Sequence, residues 1–155
     1  MNNPTMPPVA SAIIRGSTAY PEIKGTVVFR QTPRGVLVSA EILGLPISDS
    51  TCGGNFFGFH IHEGDTCAQS QAEPFPDTLG HYNPNACPHP FHAGDLPPLI
   101  SSGGIAVSVC LTDRFSLNDV IGKTVVIHLS PDDFTTQPAG NSGTKIACGV
   151  IQLKK

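Results

Sequence analysis

Six histidines are the residues of this 155-residue sequence whose type and spacing are best suited to chemistry. His60 and His62 form an H-x-H pair in a segment that alternates like a β-strand. Alternate strand residues share a face about 6 to 7 Å apart, a span that two imidazoles can close onto one metal ion. Alone, the pair favours two half-exposed strand histidines over a metal site.

A second group of ligand-type side chains follows within 15 residues: His81, His89, His92 and Asp95. Three imidazoles and a carboxylate are a suitable closed tetrahedral shell for zinc. They lie in the stretch 63–98, which has neither strand nor helix periodicity, and a loop of that length needs something to order it. A bound zinc ion would do so, and the sequence predicts a structural zinc site here.

The sixth histidine, His128, lies near the end of the apolar run 124–127, where a buried imidazole needs a partner. Taken singly, each histidine fits an ordinary core or surface role. The six together favour metal binding.

The elements that must position these side chains are short strands. The 16 glycines and 15 prolines, with charged residues at only 14%, favour strands and turns over long solvated helices. The sequence T-P-R-G at 32–35 predicts a hairpin turn. A single helical turn is predicted at 116–120. We expect one domain spanning 1–155 and an all-β fold of about eight antiparallel strands with two long loops, 63–98 and 130–145. The predicted strands are 9–15, 26–30, 36–42, 55–62, 105–111, 124–129 and 147–153.

Charge and hydropathy exclude several classes of partner. The net charge is −3 without a basic run, which argues against nucleic acid, and no apolar stretch approaches the roughly 20 residues of a membrane span. The chain begins at Met1 without a recognisable signal peptide, so we expect a cytoplasmic protein. Five cysteines, an odd number, leave at least one outside any pairing within the chain.

Four segments resemble the signature motifs of copper/zinc superoxide dismutases: G-F-H-I-H-E at 58–63, G-H-Y-N-P at 80–84, H-A-G-D-L-P at 92–97 and A-C-G-V-I at 147–151. Their order and rough spacing agree with that family from about residue 55 onward. The resemblance implies a Greek-key β-sandwich or barrel that binds one copper and one zinc per subunit and disproportionates superoxide.

The resemblance also implies a role for each ligand-type residue. Copper would be bound by His60, His62, His81 and His128, and zinc by His81, His89, His92 and Asp95, so that His81 bridges the two ions. Asp132 matches the carboxylate that hydrogen-bonds one copper-bound and one zinc-bound imidazole. Cys67 and Cys148 match the family disulfide.

Three cysteines have no family counterpart. Cys87 lies in the zinc loop, where its thiolate could be a rival zinc ligand. An inert cysteine, or one that pairs with Cys52, is favoured over a ligand. Cys110, in an apolar strand, is expected to be buried.

His81 and Lys145 are the catalytic residues that the resemblance implies. His81 would release copper and take up a proton in the reaction cycle. Lys145 occupies the position where the family has an arginine. Lysine keeps the charge that attracts superoxide but lacks the planar guanidinium fork of arginine. We therefore expect activity below that of the arginine-bearing members.

Two alternatives to this enzyme remain at the level of sequence. One is a copper/zinc storage or delivery protein of the same family with little turnover. The other is a zinc hydrolase, which needs an open coordination position and a general base. Glu63 would point away from His60 and His62 on a strand, which disfavours the hydrolase. Both a monomer and a homodimer fit the sequence.

Overall fold

The computed structural model describes residues 8–154 and contains one nine-stranded antiparallel sheet with very little helix. The strands are β1 (Val9–Gly16), β2 (Lys24–Thr32), β3 (Gly35–Leu43), β4 (Phe56–Phe57), β5 (Phe59–His62), β6 (Leu99–Ser102), β7 (Ile105–Thr112), β8 (Thr124–His128) and β9 (Lys145–Leu153). A short helix, α1 (Leu117–Val120), and a 3₁₀ turn (Pro76–Thr78) complete the regular structure. Among the described residues, no helix has the length and apolarity needed to cross a membrane.

The sheet curls into a nearly closed barrel. Its strand order is β4-β6-β7-β3-β2-β1-β9-β8-β5, so β4 and β5 lie at opposite ends of the sheet. Only Gly58 separates these two strands along the chain, and the ends of the sheet therefore meet at this residue. A Cβ at Gly58 would lie 2.7 Å from the Cβ of Ser142 and 3.2 Å from that of His128, so the close packing here requires glycine.

The structure confirms the all-β class and the hairpin turn, where Thr32 pairs with Gly35. Two details differ from the prediction. The strand expected over 55–62 is divided at Gly58 into β4 and β5, and the sequence reading missed β6, which has only four residues and follows two prolines. Each change adds a strand that length and alternation alone do not reveal.

The two faces of β5 and β8 have different environments. Phe59 and Ile61 of β5 point into the hydrophobic core of the barrel together with Val125 and Ile127 of β8. The alternate residues lie on the outer face, and these include both histidines of β5. The whole of β8 is nevertheless buried, because the long loop that follows β5 covers its outer face.

A disulfide between Cys67 and Cys148 ties this long loop to β9, as the resemblance implied. Its sulfur atoms are 2.01 Å apart and its cysteines are separated by 81 positions. Phe75 of the loop and Val126 of β8 pack beside Cys148 in a small second cluster. The outer face that bears the histidines is therefore held beneath a covalently anchored cover.

Replacing Cys67 and Cys148 together by serine should lower the free energy of unfolding of the metal-free protein by about 4 kcal/mol, because the closed loop restricts the unfolded chain. Urea titration under non-reducing conditions measures this loss. The matched control is Cys52→Ser, which alters an exposed free thiol. A loss no larger than that of the control would contradict the stabilising role of the disulfide.

Candidate metal centre

β5 and β8 bring three histidines onto one outer face. His60 and His62 alternate along β5, which pairs with β8 in antiparallel register, and His128 is the last residue of β8. The Nε2 atoms of His62 and His128 lie 3.1 Å apart. All three side chains are buried, so the strand pairing alone concentrates imidazoles in a site of low polarity.

The long loop adds further ligand-type side chains by pairing with β5 along the edge that does not pair with β8. Isolated antiparallel bridges join His62 to His81 and His60 to Asp95. The ring of His81 stacks on that of His60 with centroids 3.9 Å apart. Main-chain hydrogen bonds hold the loop against β5. For example, Tyr82 donates its N–H to the carbonyl of Ile61 at 2.8 Å.

The first group of candidate ligands comprises His60, His62, His81 and His128, whose ligand atoms lie within 4.8 Å of one another. The Nδ1 atoms of His62 and His128 donate to the carbonyls of Leu79 (2.8 Å) and Gly143 (3.1 Å). Their Nε2 atoms therefore carry lone pairs that face the group.

Three buried histidine nitrogens have no hydrogen-bond partner within residues 8–154, and we call them the open nitrogens: His60 Nδ1, His81 Nε2 and His89 Nδ1. A buried polar atom without a partner is costly in free energy. Two of the open nitrogens belong to the first group. Coordination to a cation would satisfy them, so the first group fits a nitrogen-ligated metal such as copper.

The second group comprises His81, His89, His92 and Asp95. Ligand atoms of a tetrahedral zinc site with bonds of about 2.0 to 2.1 Å lie roughly 3.3 Å apart. The Nδ1 atoms of His81 and His92 are 3.3 Å apart. Asp95 Oδ2 lies 3.1 Å from His89 Nδ1 and 3.4 Å from His92 Nδ1. These separations are close to those of a zinc shell. His81 Nδ1 also donates to Asp95 Oδ1 at 2.7 Å, a hydrogen bond that zinc would replace.

Asp132 links the two groups through hydrogen bonds. Its Oδ2 accepts from His60 Nε2 at 2.7 Å, and its Oδ1 accepts from His89 Nε2 at 2.8 Å. Because a carboxylate only accepts, these Nε2 atoms carry the protons and leave Nδ1 of each ring available to a metal. A Cβ at Gly140 would lie 2.1 Å from Asp132 Oδ1, so glycine is needed beside this carboxylate.

Burial sets the protonation states of the site. Desolvation lowers the pKa of His60 to about 4 and that of His128 to about 3, and it holds the pKa of His62 well below its usual value. Burial would raise the pKa of Asp132, but hydrogen bonds from His60 and from the N–H of Phe134 hold it far below its usual value. At neutral pH His60, His62 and His128 are neutral and Asp132 is ionised, which are the forms suited to metal binding.

Lys145 lies beside the first group, opposite His128 in the pairing of β8 with β9. Its Nζ donates to the carbonyl of Phe75 at 3.2 Å and lies 3.9 Å from Glu73 Oε1. Burial lowers the pKa of Lys145, and the charge of Glu73 opposes that shift. These two side chains help line a cavity of about 450 Å³ that opens to solvent.

The remaining sequence hypotheses have clear outcomes. Glu63 forms an ion pair with Lys123 at 2.6 Å, away from both groups, so the general base of a zinc hydrolase is missing from the position considered. Among the described cysteines, Cys52, Cys87 and Cys110 are free thiols, and neither ligand group contains a cysteine. Cys110 packs against the core but is only partly buried, since it also lines a surface cavity.

Sequence reasoning missed two side chains that act on the ligand loops. Glu73, which approaches Lys145, has no motif of its own in a loop without periodicity. Arg114 directs Nη1 at the carbonyls of Pro90 (3.2 Å), His92 (3.2 Å) and Asp95 (3.4 Å). The only sequence signal is an arginine two residues after the end of β7, which does not reveal its partners.

Comparison with known proteins agrees with this geometry. The family described as "Copper/zinc superoxide dismutase (SODC)" matches residues 23–151. Similar proteins include "Superoxide dismutase [Cu-Zn]" of Deinococcus radiodurans, 36% identical over 84% of this chain and 78% of that protein. The proteins of that name from Legionella pneumophila (36% identity, 83% of this chain and 77% of that one) and Photobacterium leiognathi (34%, 83% and 78%) are similar too.

Acid should destabilise the metal-free protein. The unfolded chain protonates its histidines near pH 6.5, whereas folded His60 and His128 stay neutral down to about 4 and about 3. In this window the unfolded state binds more protons, so stability rises with pH, by up to about 1.4 kcal/mol per pH unit for each such group. Urea unfolding of the metal-free protein between pH 7 and pH 4 measures the slope.

The control is His128→Gln, which removes one of these groups and should give a shallower slope. Stability of the original protein that is constant or rises on acidification over this range would contradict the neutral, buried state of the histidines.

Proposed function

This chain belongs to the copper/zinc superoxide dismutase family, and on that premise we propose that it disproportionates superoxide to dioxygen and hydrogen peroxide. Its cofactors are copper and zinc, and its substrate is the superoxide anion. The observation that carries the proposal is His81, a buried histidine that belongs to both ligand groups, with Nδ1 in the second group and the open Nε2 in the first.

We further propose the assignment of each ligand. His60, His62, His81 and His128 bind copper, because this group offers imidazole nitrogens alone, which suit copper. His81, His89, His92 and Asp95 bind zinc, because three imidazoles and one carboxylate complete a closed tetrahedral shell. Asp132 holds His60 and His89 in the tautomer that each ion requires.

Copper, when bound, supplies one-electron chemistry: one superoxide gives up an electron and leaves as dioxygen, and a second accepts it and leaves, with two protons, as hydrogen peroxide. The chain supplies orientation and protons. When a metal ion occupies Nδ1 of His81, the proton of the ring would lie on Nε2, from which it could pass to the reduced oxygen species. Nδ1 of the same ring stays within the second group, so the ring keeps its place.

Lys145 supplies the positive field that attracts the anionic substrate to a protein of net charge −3. Its ammonium group is mostly shielded, with the side chain 16% exposed, and Glu73 lies 3.9 Å away with 61% of its side chain exposed. The carboxylate weakens the field of Lys145 at the cavity mouth. We propose that this pairing, together with lysine in place of the family arginine, moderates the rate of substrate capture.

The alternative of a copper/zinc storage or delivery protein is not favoured. The relatives that match most of this chain are named as dismutases. The residues that a turnover cycle needs, a bridging histidine and a cation beside the first group, are both present.

The proposed activity predicts a rate of superoxide loss that requires copper. Protein loaded with one equivalent each of copper and zinc should consume superoxide rapidly, and protein loaded with zinc alone should not, because zinc cannot change its oxidation state. Pulse-generated superoxide followed by its ultraviolet absorbance measures both rates. Equal rates for the two preparations would contradict the enzymatic function.

Changing the charge near the cavity should change substrate capture in opposite directions. Lys145→Met should lower the second-order rate constant by about tenfold or more, because the attractive field is lost. Glu73→Gln should raise the rate and steepen its fall with added salt, because the field of Lys145 is then unopposed.

The control is Glu41→Gln, which makes the same change of net charge on β3, a strand that neither borders the cavity nor pairs with β8 or β9. If Glu73→Gln and Glu41→Gln had equal effects, the rate would depend on total charge and not on the pair with Lys145.

A further inference from the structure

The loop between β8 and β9 contacts His89 at two separate points. One is the ring, whose Nε2 donates to Asp132 Oδ1 at 2.8 Å. The other is the main chain, which pairs with the side-chain amide of Gln137. Oε1 of Gln137 accepts from the N–H of His89 at 2.9 Å, and Nε2 donates to the His89 carbonyl at 2.7 Å. The amide thus satisfies both main-chain groups of one residue, as a neighbouring strand would.

Gln137 is carried by a turn that is ordered by its own hydrogen bonds. Asp133 Oδ1 accepts from the main-chain N–H groups of Thr135 (2.9 Å) and Thr136 (2.8 Å). Gly140 donates its N–H to the carbonyl of Thr136 at 2.7 Å and accepts from the N–H of Asp133 at 2.9 Å. The turn 133–140 therefore closes on itself, and Gln137 is presented from a fixed base.

The contact of Gln137 matters because it holds His89, a candidate metal ligand. Gln137 is exposed, whereas the side chain of His89 is fully buried. The open Nδ1 of His89 lies 3.1 Å from Asp95 Oδ2, at the spacing of the second ligand group. His89 belongs to the irregular loop, where no strand pairing fixes its main chain, so a rotation of that main chain would swing Nδ1 out of the group.

We propose that Gln137 is a positioning residue of the zinc site. Its amide fixes the main chain of His89 while Asp132 fixes the ring, and the two together aim Nδ1 at the ion. The inference rests on the proposed assignment of His81, His89, His92 and Asp95 as zinc ligands. Partners that orient metal ligands typically account for about 10- to 100-fold in metal affinity.

The test is the variant Gln137→Met, which keeps the length of the side chain and removes both hydrogen bonds. We expect its zinc dissociation constant, measured by chelator competition with the full chain, to rise by about tenfold or more. We also expect the visible absorption spectrum of cobalt(II) bound in place of zinc to change, because the ligand field depends on the direction of His89.

Gln31→Met is the matched control. The amide of Gln31 also brackets main-chain groups, since it accepts from the N–H of Leu117 at 2.8 Å and donates to the carbonyl of Thr32 at 3.1 Å, but it touches no residue of the ligand groups. This variant should keep the zinc dissociation constant and the cobalt spectrum of the original protein. Urea unfolding of both metal-free variants gives the purely structural cost of losing such an amide.

The outcomes separate the inference from the assignment on which it rests. A loss of zinc affinity with an altered cobalt spectrum in Gln137→Met alone supports the positioning role. Unchanged affinity, or an equal loss in both variants, overturns it while leaving the zinc site intact. Original protein that binds no zinc or cobalt would overturn the zinc assignment itself, and the inference with it.

Discussion

A buried nitrogen lone pair without a partner is the constraint on which the rest of this structure depends. The three open nitrogens, in His60, His81 and His89, are enclosed between the barrel and the long loop. A buried polar atom without a hydrogen-bond partner is costly in free energy. Coordination to metal ions would satisfy all three of these nitrogens. Metal binding would therefore both enable the chemistry of the site and stabilise the fold.

Both the barrel and the loops position the ligands of that site. β5 and β8 provide a rigid face with three imidazoles, while the disulfide between Cys67 and Cys148 and the bridges to β5 hold the loop over it. The second loop then reaches both groups through Asp132. Because every ligand after His62 comes from a loop or a strand end, metal binding and loop order must be coupled. Sites assembled in this way gain specificity from the supports of their ligands as much as from the ligands.

The sequence predicted the parts of the structure that local rules determine. Alternation gave the shared face of His60 and His62, and turn chemistry gave the hairpin at Thr32. The loop 63–98 has no periodicity, which indicated only that a metal or a disulfide orders it. The bridging position of His81 followed from family resemblance and not from spacing, since its partners are set by the packing of the loop against β5. Four residues were too few to reveal β6.

Contacts of the long loop with the segment from β8 to the start of β9 could not be predicted from the sequence. The approach of Glu73 to Lys145, and of Gln137 to His89, joins positions separated by dozens of residues in segments without periodicity. Such pairs depend on where each loop lies in the folded protein, which only the whole set of contacts determines. The pair of Glu73 with Lys145 acts on the first ligand group through its electrostatic field, and the pair of Gln137 with His89 acts on the second through ligand orientation. Both therefore modify a function that the motifs alone indicate.

The central claim is that one histidine, His81, joins a copper site to a zinc site. Crystals of protein loaded with both metals, with anomalous diffraction recorded at the copper and zinc absorption edges, test it most directly. The account predicts a copper peak among His60, His62 and His128, a zinc peak among His89, His92 and Asp95, and the ring of His81 in contact with both. A ring of His81 bonded to one ion only in the oxidised protein, or both peaks within a single group, would contradict it.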